Sequence, residues 1–400
     1  MTVSPEAIAR LEARLTSQHS AMLDDLAELV GCESPTDDVA RCRATAALVA
    51  DQARRMEIPA RVVESGGRPH VLLGALGLAD AWGTGPAPGQ VLLLGHLDTV
   101  WPAGTGSDWP FVVSGGVASG PGAYDMKAGI VQGLHALGSL AAGGTSARAS
   151  MLVTSDEEVG SPTSSALIES LARSADAVLV LEPGPVGGVK IARKGWMVWR
   201  VRVHGRAAHA GLEPERGVNA GVELARLALA LDAMHDPERG LTVVPTLLSA
   251  GSAPNVVPEH AEMTVDVRSF DPAALVAFEH AIREIASSDT GTGARVSLER
   301  VTSRPPLPES SGVPLLARAQ EIAARLGLGA LVPARVGGVS DGNLAAAAGA
   351  PTLDGLGAVG GGAHARDEHV LVDETWRRSA LVAALVESLA ESPARAVAAG

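Results

Sequence analysis

Apolar residues recur at Leu11, Leu15, Met22, Leu26 and Val30, mostly at helical spacing, and predict a helix from about Pro5 to Val30. The pattern then turns to short, unbroken apolar runs. Val91 to Leu94, preceded by a Gly/Pro-rich stretch at 83–89, stops at Gly95-His96-Leu97-Asp98-Thr99. Met151-Leu152-Val153 runs into Thr154-Ser155-Asp156-Glu157-Glu158, and Ala177 to Leu181 runs into Glu182-Pro183-Gly184. Runs without polar alternation are what strands covered on both faces look like in α/β proteins. Helical stretches such as Ala128 to Leu140 alternate with them. Functional groups in such sheets sit at the carboxyl ends of the strands, so the three polar clusters are expected to meet at one edge.

From about Lys194 the periodicity changes. Met197-Val198-Trp199-Arg200-Val201-Arg202-Val203 alternates with period two, the pattern of an antiparallel strand with one exposed face. A helix follows with Val218, Val222, Ala225 and Leu229 on one face. Strands over Leu241–Leu248 and Ala261–Arg268, a helix over Pro272–Ser287 and a strand near Arg295–Val301 complete the segment. Strand–helix–strand–strand–helix–strand is the order of a ferredoxin-like α+β unit. Arg304-Pro305-Pro306 punctuates, and helix and strand then alternate to the C-terminus, whose Ala/Gly-rich tail reads as the end of the last helix. The predicted architecture is an α/β domain, residues 1–193 and 306–400, interrupted by an inserted α+β domain, residues 194–305.

Composition narrows the picture. The 400 residues are 46% hydrophobic but only 2% aromatic, so the core must be built from Ala, Val and Leu. A net charge of −13, from 45 acids against 32 bases, argues against a nucleic-acid partner, which requires clustered positive charge. Cys32 and Cys42 are too few for a disulfide framework. No run of about 18 apolar residues exists, so no membrane span is expected. The start, MTVSPEAIARLEARL, lacks the basic and apolar regions of a signal peptide, and the expected location is the cytoplasm.

The chemistry concentrates in His96, Asp98, Asp125, Glu157, Glu158, Glu182 and His364. Imidazole and carboxylate are the ligands zinc takes where it must also bind water and substrate oxygen. His96 and Asp98 leave a strand on the same side, so the Asp98 carboxylate is expected to hold the second nitrogen of His96 and fix its tautomer. One carboxylate, such as Asp125, can bridge two metals through its two oxygens. Glu157 and Glu158 point different ways, leaving one to bind metal and the other to take a proton from metal-bound water. Two ions about 3.5–4 Å apart would clamp a bridging hydroxide, and the free Glu would shuttle its proton to the leaving nitrogen.

Gly95-His96-Leu97-Asp98-Thr99-Val100, the segment Gly122 to Gly129, Asp156-Glu157-Glu158-Val159-Gly160 and Leu181-Glu182-Pro183 resemble the motifs of the M20 metallopeptidase family, in order and interval over nearly the whole chain. Gly205-Arg206-Ala207-Ala208-His209-Ala210-Gly211, Gly217-Val218-Asn219-Ala220 and Asn255-Val256-Val257-Pro258 are similar to the glutamate carboxypeptidase branch. The resemblance implies two Zn2+ per chain, with Co2+ or Mn2+ as substitutes. His96, Asp125 and Glu182 would hold one ion, Asp125, Glu158 and His364 the other, and Glu157 would be the general base. It implies a cis bond after Asp125. The insertion would be a lid and dimerisation domain, with His209 reaching the partner's active site of a homodimer to stabilise the oxyanion. Lys190, Asn255, Arg268 and Arg304 would recognise the carboxylates of a small peptide or N-acyl amino acid, with glutamate the favoured C-terminal residue. Dipeptides, N-acetyl amino acids and succinyl-diaminopimelate are alternative substrates of the same centre.

Gly360-Gly361-Gly362-Ala363-His364-Ala365 is richer in glycine than the family pattern, and His369 is the fallback ligand. Gly355 to Gly360 fits GxGxxG without opening a helix, so dinucleotide binding is not expected. Gly338-Val339-Ser340-Asp341-Gly342 fits GxSxG, which makes a serine hydrolase using Ser340 the rival mechanism. A non-catalytic dimeric binding protein is the third reading, set against the presence of every ligand and the base.

Overall fold

The computed structural model describes residues 4–74, 90–144, 148–288, 291–392 and 394; the stretch at 83–89 and the Ala/Gly tail lie outside them. The chain divides into two compact units, one of residues 1–192, 307–336 and 340–400, the other of residues 193–306 and 337–339.

The first unit opens with helices α1 (Pro5–Ser17), α2 (His19–Gly31) and α3 (Val39–Arg55). The single helix predicted over Pro5 to Val30 is thus two. The Ser17 hydroxyl donates to the Arg14 carbonyl, and the Gln18 N–H turns back to Leu15, which breaks the helical ladder. Leu11, Leu15, Met22, Leu26 and Val30 are still all buried.

Strands β1 (Ala60–Ser65), β2 (Arg68–Gly74) and β3 (Gln90–His96) follow, then the short α4 (Thr105–Asp108), β4 (Val112–Ser114), β5 (Val117–Ser119) and α5 (Ala128–Ala142). Next come β6 (Arg148–Thr154), α6 (Ser165–Ser174), β7 (Ala177–Val180) and β8 (Gly188–Arg193).

The second unit contains β9 (Gly195–His204), α7 (Ala220–Asp232), β10 (Thr242–Ala250), β11 (His260–Ser269), α8 (Pro272–Ser287) and β12 (Arg295–Arg304). The chain returns to the first unit with α9 (Glu309–Arg325), β13 (Val332–Val336), α10 (Asp341–Ala347), β14 (Thr352–Leu353), β15 (Gly360–Gly361), β16 (His369–Leu371) and α11 (Val372–Glu391).

The main sheet of the first unit has the order β1-β2-β6-β3-β7-β14, with β6, β3, β7 and β14 parallel. Alternate residues of one strand enter different cores. Leu93 packs with α1, α2, α5 and α11, whereas Leu92 and Leu94 pack with α6 and α10. Both faces are covered, which is why these strands carry no polar alternation. Each such leucine gains about 1.5–3 kcal/mol from burial. Because β6, β3 and β7 are adjacent and parallel, their carboxyl ends deliver His96, the Glu157–Glu158 turn and Glu182 to one edge.

The second unit is an antiparallel sheet of order β10-β11-β9-β12 covered by α7 and α8, the ferredoxin-like arrangement. Its core holds Trp199 and Phe278. Here one expectation is corrected. The buried face of α7 is Ala220, Leu224, Leu227 and Leu231, while Val222, Ala225 and Leu229 point outward. The helix carries two apolar stripes, and the sequence reading picked the outer one. Among the described residues no helix is long and apolar enough to cross a membrane.

Candidate metal centre

His96 ends β3 and is almost wholly buried. Its Nε2 lies 3.3 Å from Asp125 Oδ1 and 3.5 Å from Glu182 Oε1. The other oxygen of Asp125, Oδ2, lies 3.3 Å from His364 Nε2, which is also 3.3 Å from Glu158 Oε2. Asp125 therefore faces two imidazoles, one through each oxygen, and each imidazole faces a second carboxylate. Donor atoms of His96, Asp125 and Glu158 lie within 4.8 Å of one another, as do those of His96, Glu157 and Glu182. Glu157 thus stands beside the cluster as well.

Asp98 is placed differently from the sequence expectation. His96 Nδ1 is hydrogen-bonded to the backbone carbonyl of Asp98 at 2.9 Å, with the carboxylate 3.5 Å away. That carboxylate instead accepts from Thr36 Oγ1 at 2.9 Å and from the N–H groups of Glu157 and Glu158 at 3.2 and 3.3 Å. Asp98 is fully buried, so these donors outcompete a longer reach to the ring. The carbonyl bond still sets the tautomer, with Nδ1 protonated and Nε2 turned to the carboxylates.

The turn bearing Glu157 and Glu158 is anchored by Asp156, also fully buried. Asp156 accepts from Thr163 N, Thr163 Oγ1 and Ser164 Oγ at 2.6–2.7 Å. Asp125 sits in a π-type turn, Ala123–Lys127, and its bond to Met126 is cis. Lys127, buried in the same turn, donates to the carbonyls of Leu29 and Cys32 at 2.9 Å and ties the turn to the end of α2.

His364 lies in the loop of the β15–β16 hairpin with φ +62, and its side chain is 51% exposed. His369, the fallback, is on β16 with Nδ1 2.8 Å from the Asp367 carbonyl; it is His364 that reaches the carboxylates. At the base of this loop, Glu368 is fully buried. In the sequence the Asp367-Glu368 pair serves only to mark His364 as the ligand, and no role of its own is assigned to Glu368.

Hydrogen bonds to Asp125 and Glu158 push the pKa of His364 up to about 10. Burial opposes a charge on His96, yet the neighbouring carboxylates of Asp125, Asp98 and Glu182 prevail and raise its pKa well above the ordinary value. Burial works to raise Asp125 too, but the two imidazoles hold it far below the carboxylate range. Desolvation raises Glu158. Its Oε1 is buried with no hydrogen-bond partner among the described residues. Carboxylates packed this closely need positive charge, and an unsatisfied buried oxygen among imidazole and carboxylate donors fits a divalent ion.

The remaining expected residues occupy other places. Lys190 is on β8, its backbone bridged to Asp354. His209, exposed in the second unit, accepts from the N–H groups of Gly211 and Leu212 at Nδ1, both 3.1 Å. Asn255 is exposed, and its carbonyl accepts from Ala210. Arg268 is paired with both oxygens of Asp266 and lies over Trp196. Arg304 is buried at the end of β12.

The two decoy motifs have structural roles. Ser340 is fully buried, caps α10 and donates to Asp354 at 2.6 Å, so it is not presented as a nucleophile. In the GxGxxG stretch, a Cβ on Gly357 would overlap the Leu181 carbonyl oxygen, so glycine there lets the backbone close against the strand end that bears Glu182.

A covered parallel sheet with a histidine–carboxylate cluster at its carboxyl edge defines a metallohydrolase. Residues 92–388 match the model of peptidase family M20/M25/M40, and the chain belongs to that family. It is 30% identical to carboxypeptidase G2 from Pseudomonas sp. strain RS-16 over 384 residues, 94% of this chain and 90% of the relative. It is 31% identical over 330 residues to succinyl-diaminopimelate desuccinylase from Methylorubrum populi, covering 76% and 83% of the two chains. The fold is similar to aminopeptidase PepT from Bacillus cereus, with TM-score 0.74, 21% identity and coverage of 93% and 99%. It is also similar to an M20 family metallo-carboxypeptidase from Sulfolobus solfataricus, with TM-score 0.73, 14% identity and coverage of 92% and 99%.

Proposed function

We propose that the protein is a dinuclear amidohydrolase that cuts a peptide or N-acyl amide bond next to a free carboxylate and releases a glutamate-like residue. The observation that carries this reading is the placement of Asp125, one oxygen toward each imidazole–carboxylate pair. We assign His96, Asp125 and Glu182 to one zinc ion and Asp125, Glu158 and His364 to the other; Co2+ or Mn2+ suits the same donors. Two such ions, when bound, supply the Lewis acidity that polarises the scissile carbonyl and acidifies the attacking water.

Glu157 is the general base of the proposed reaction. It takes the proton of water as the new C–O bond forms and passes it to the amide nitrogen as the C–N bond breaks, so that the amine leaves neutral. Asp98 holds the backbone of Glu157 and Glu158 and, through its carbonyl, the ring of His96. Two N–H donors at His209 Nδ1 require that nitrogen to be unprotonated, which assigns the proton to Nε2. An exposed Nε2–H is the donor an oxyanion calls for.

We further propose that the inserted unit is a lid that pairs two chains and that His209 acts on the partner's centre. The edge strand β10 exposes Leu247 and Leu248, 81% and 54%, where its register with β11 breaks, and the outer stripe of α7 exposes Val222 and Leu229, 65% and 73%. An unpaired strand edge beside an apolar stripe supports a second copy as its cover. The substrate class draws on the relatives: one name specifies a C-terminal residue and the other a succinyl group, and both place a carboxylate near the amide. Lys190, Asn255, Arg268 and Arg304 are the set we assign to it, with Arg268 sharing its charge with Asp266.

A panel of N-acyl amino acids differing in the C-terminal residue tests the proposal. Hydrolysis should favour Glu, stop with chelator and return with Zn2+ or Co2+. Activity that survives chelation overturns the metal reading, and indifference to the C-terminal residue overturns the glutamate assignment.

A further inference from the structure

His364 is the weakest-held member of the cluster by its surroundings. It is half-exposed, stands in a hairpin loop and has a left-handed backbone, yet its Nε2 must meet Asp125 and Glu158 together. The loop needs a fixed footing, and the structure contains one. Glu368 closes the loop, its N–H bonded to the Ala365 carbonyl at 3.0 Å. Its carboxylate enters the neighbouring turn. Oε1 accepts from the N–H groups of Tyr124 at 2.8 Å and Asp125 at 3.0 Å. Oε2 accepts from the N–H of Gly122 at 3.2 Å and from Trp101 Nε1 at 2.9 Å.

Four donors on a fully buried carboxylate make this a rigid joint. Three of them belong to the turn that carries Asp125, and the fourth to the segment after β3, the strand that ends in His96. The polypeptide that carries His364 is thereby fastened to the polypeptide that carries the shared aspartate.

We infer that Glu368 is the positioning residue of the proposed metal centre, setting the distance between His364 and Asp125. The inference rests on the dinuclear reading. Glu368 touches neither substrate nor ion; it acts through the two loops it joins.

The chemistry of the joint makes a specific demand. All four partners are donors, so both oxygens must be acceptors. Glutamine has the same shape but places an NH2 against two N–H groups, and half of the joint is lost. Aspartate keeps the charge but falls short by one methylene.

The test compares wild-type protein with Glu368→Gln, Glu368→Asp and Trp101→Phe. Each is stripped of metal and titrated with Co2+, followed by calorimetry and the visible absorption of the bound ion. Thermal unfolding of the metal-free forms monitors structure. Wild type should bind two ions. Glu368→Gln should bind Co2+ about 10–100-fold more weakly, the usual effect of removing a group that orients a ligand, with an altered spectrum and a metal-free unfolding transition that is lowered but still cooperative. Trp101→Phe removes one donor and leaves the three backbone bonds, so it should stay close to wild type. Should Glu368→Gln not fold, Glu368→Asp must show the weakened binding and altered spectrum instead.

Wild-type Co2+ affinity and spectrum in the Glu368 variants overturn the inference while leaving the dinuclear reading intact. Equal losses in Trp101→Phe and Glu368→Gln also overturn it, because the effect would then be one of packing. A wild type that binds no ion overturns both.

Discussion

Replacing Glu157 by glutamine separates two roles that the geometry places side by side. Its carboxylate belongs with His96 and Glu182 to a group of donors within 4.8 Å, so it stands where a ligand could, yet we assign it the proton transfer. The backbone around it has anchors besides its side chain. Asp156 holds the turn through Thr163 and Ser164, and Asp98 holds the Glu157 N–H. Glu157→Gln should therefore fold and keep both ions. Removing a general base costs about 10²–10⁴ in rate, which at about 1.36 kcal/mol per tenfold is about 2.7–5.4 kcal/mol of barrier. We expect kcat to fall by about a thousandfold while KM stays within about threefold, because ground-state binding is untouched. Metal content is read by mass spectrometry after dialysis, and kcat and KM are then measured with an N-acyl-glutamate at saturating ion. Wild-type kcat would refute the base. Loss of one ion would refute the division of labour between Glu157 and Glu158.

Ser340→Ala should leave kcat unchanged and lower unfolding stability by about 1–3 kcal/mol, since it removes a helix cap and the donor to buried Asp354; a large drop in kcat at full metal content would revive the serine mechanism. Gly357→Ala forces a Cβ against the Leu181 carbonyl and should cost about 1–3 kcal/mol, seen as a lower thermal midpoint; an unchanged midpoint sinks the close-packing argument. Burial lowers the pKa of His70 in the fold, with Asp156 and Asp341 pulling the other way. The unfolded chain, near about 6.5, then binds the proton first, so stability present above that pH is lost as pH falls through and below it. The urea midpoint should drop between pH 7.5 and 5.5, and less so in His70→Gln; equal drops in both would exclude His70 as a source.

Much of the first unit was legible because burial on both faces leaves a plain trace. Leu92, Leu93 and Leu94 between them serve two cores, so the run shows no polar alternation. Once those runs are parallel neighbours, the polar residues that end them must share an edge, and order along the chain suffices to gather His96, Glu158 and Glu182. The break at Gln18 was not legible, because it depends on a local bond from Ser17 to Arg14 that leaves the apolar spacing intact. Nor was the contact made by Asp98. Both a carboxylate and a carbonyl at that position could serve His96, and the choice falls to Thr36, Glu157 and Glu158, which fill the carboxylate first.

The same limit explains α7. Its sequence offers Ala220, Leu224, Leu227 and Leu231 on one side and Val222, Ala225 and Leu229 on another, and periodicity rates the two alike. Periodicity records which positions avoid water and says nothing of which surface covers them. In the ferredoxin-like unit the first stripe is spent on Trp199, Met263 and Phe278. The second is left exposed, and among the described residues the outer edge of β10, with Leu247 and Leu248 exposed on that strand, carries no partner strand. An exposed apolar stripe beside an open strand edge is the kind of surface a second copy can cover, and it is on this ground that the pairing of two chains is proposed.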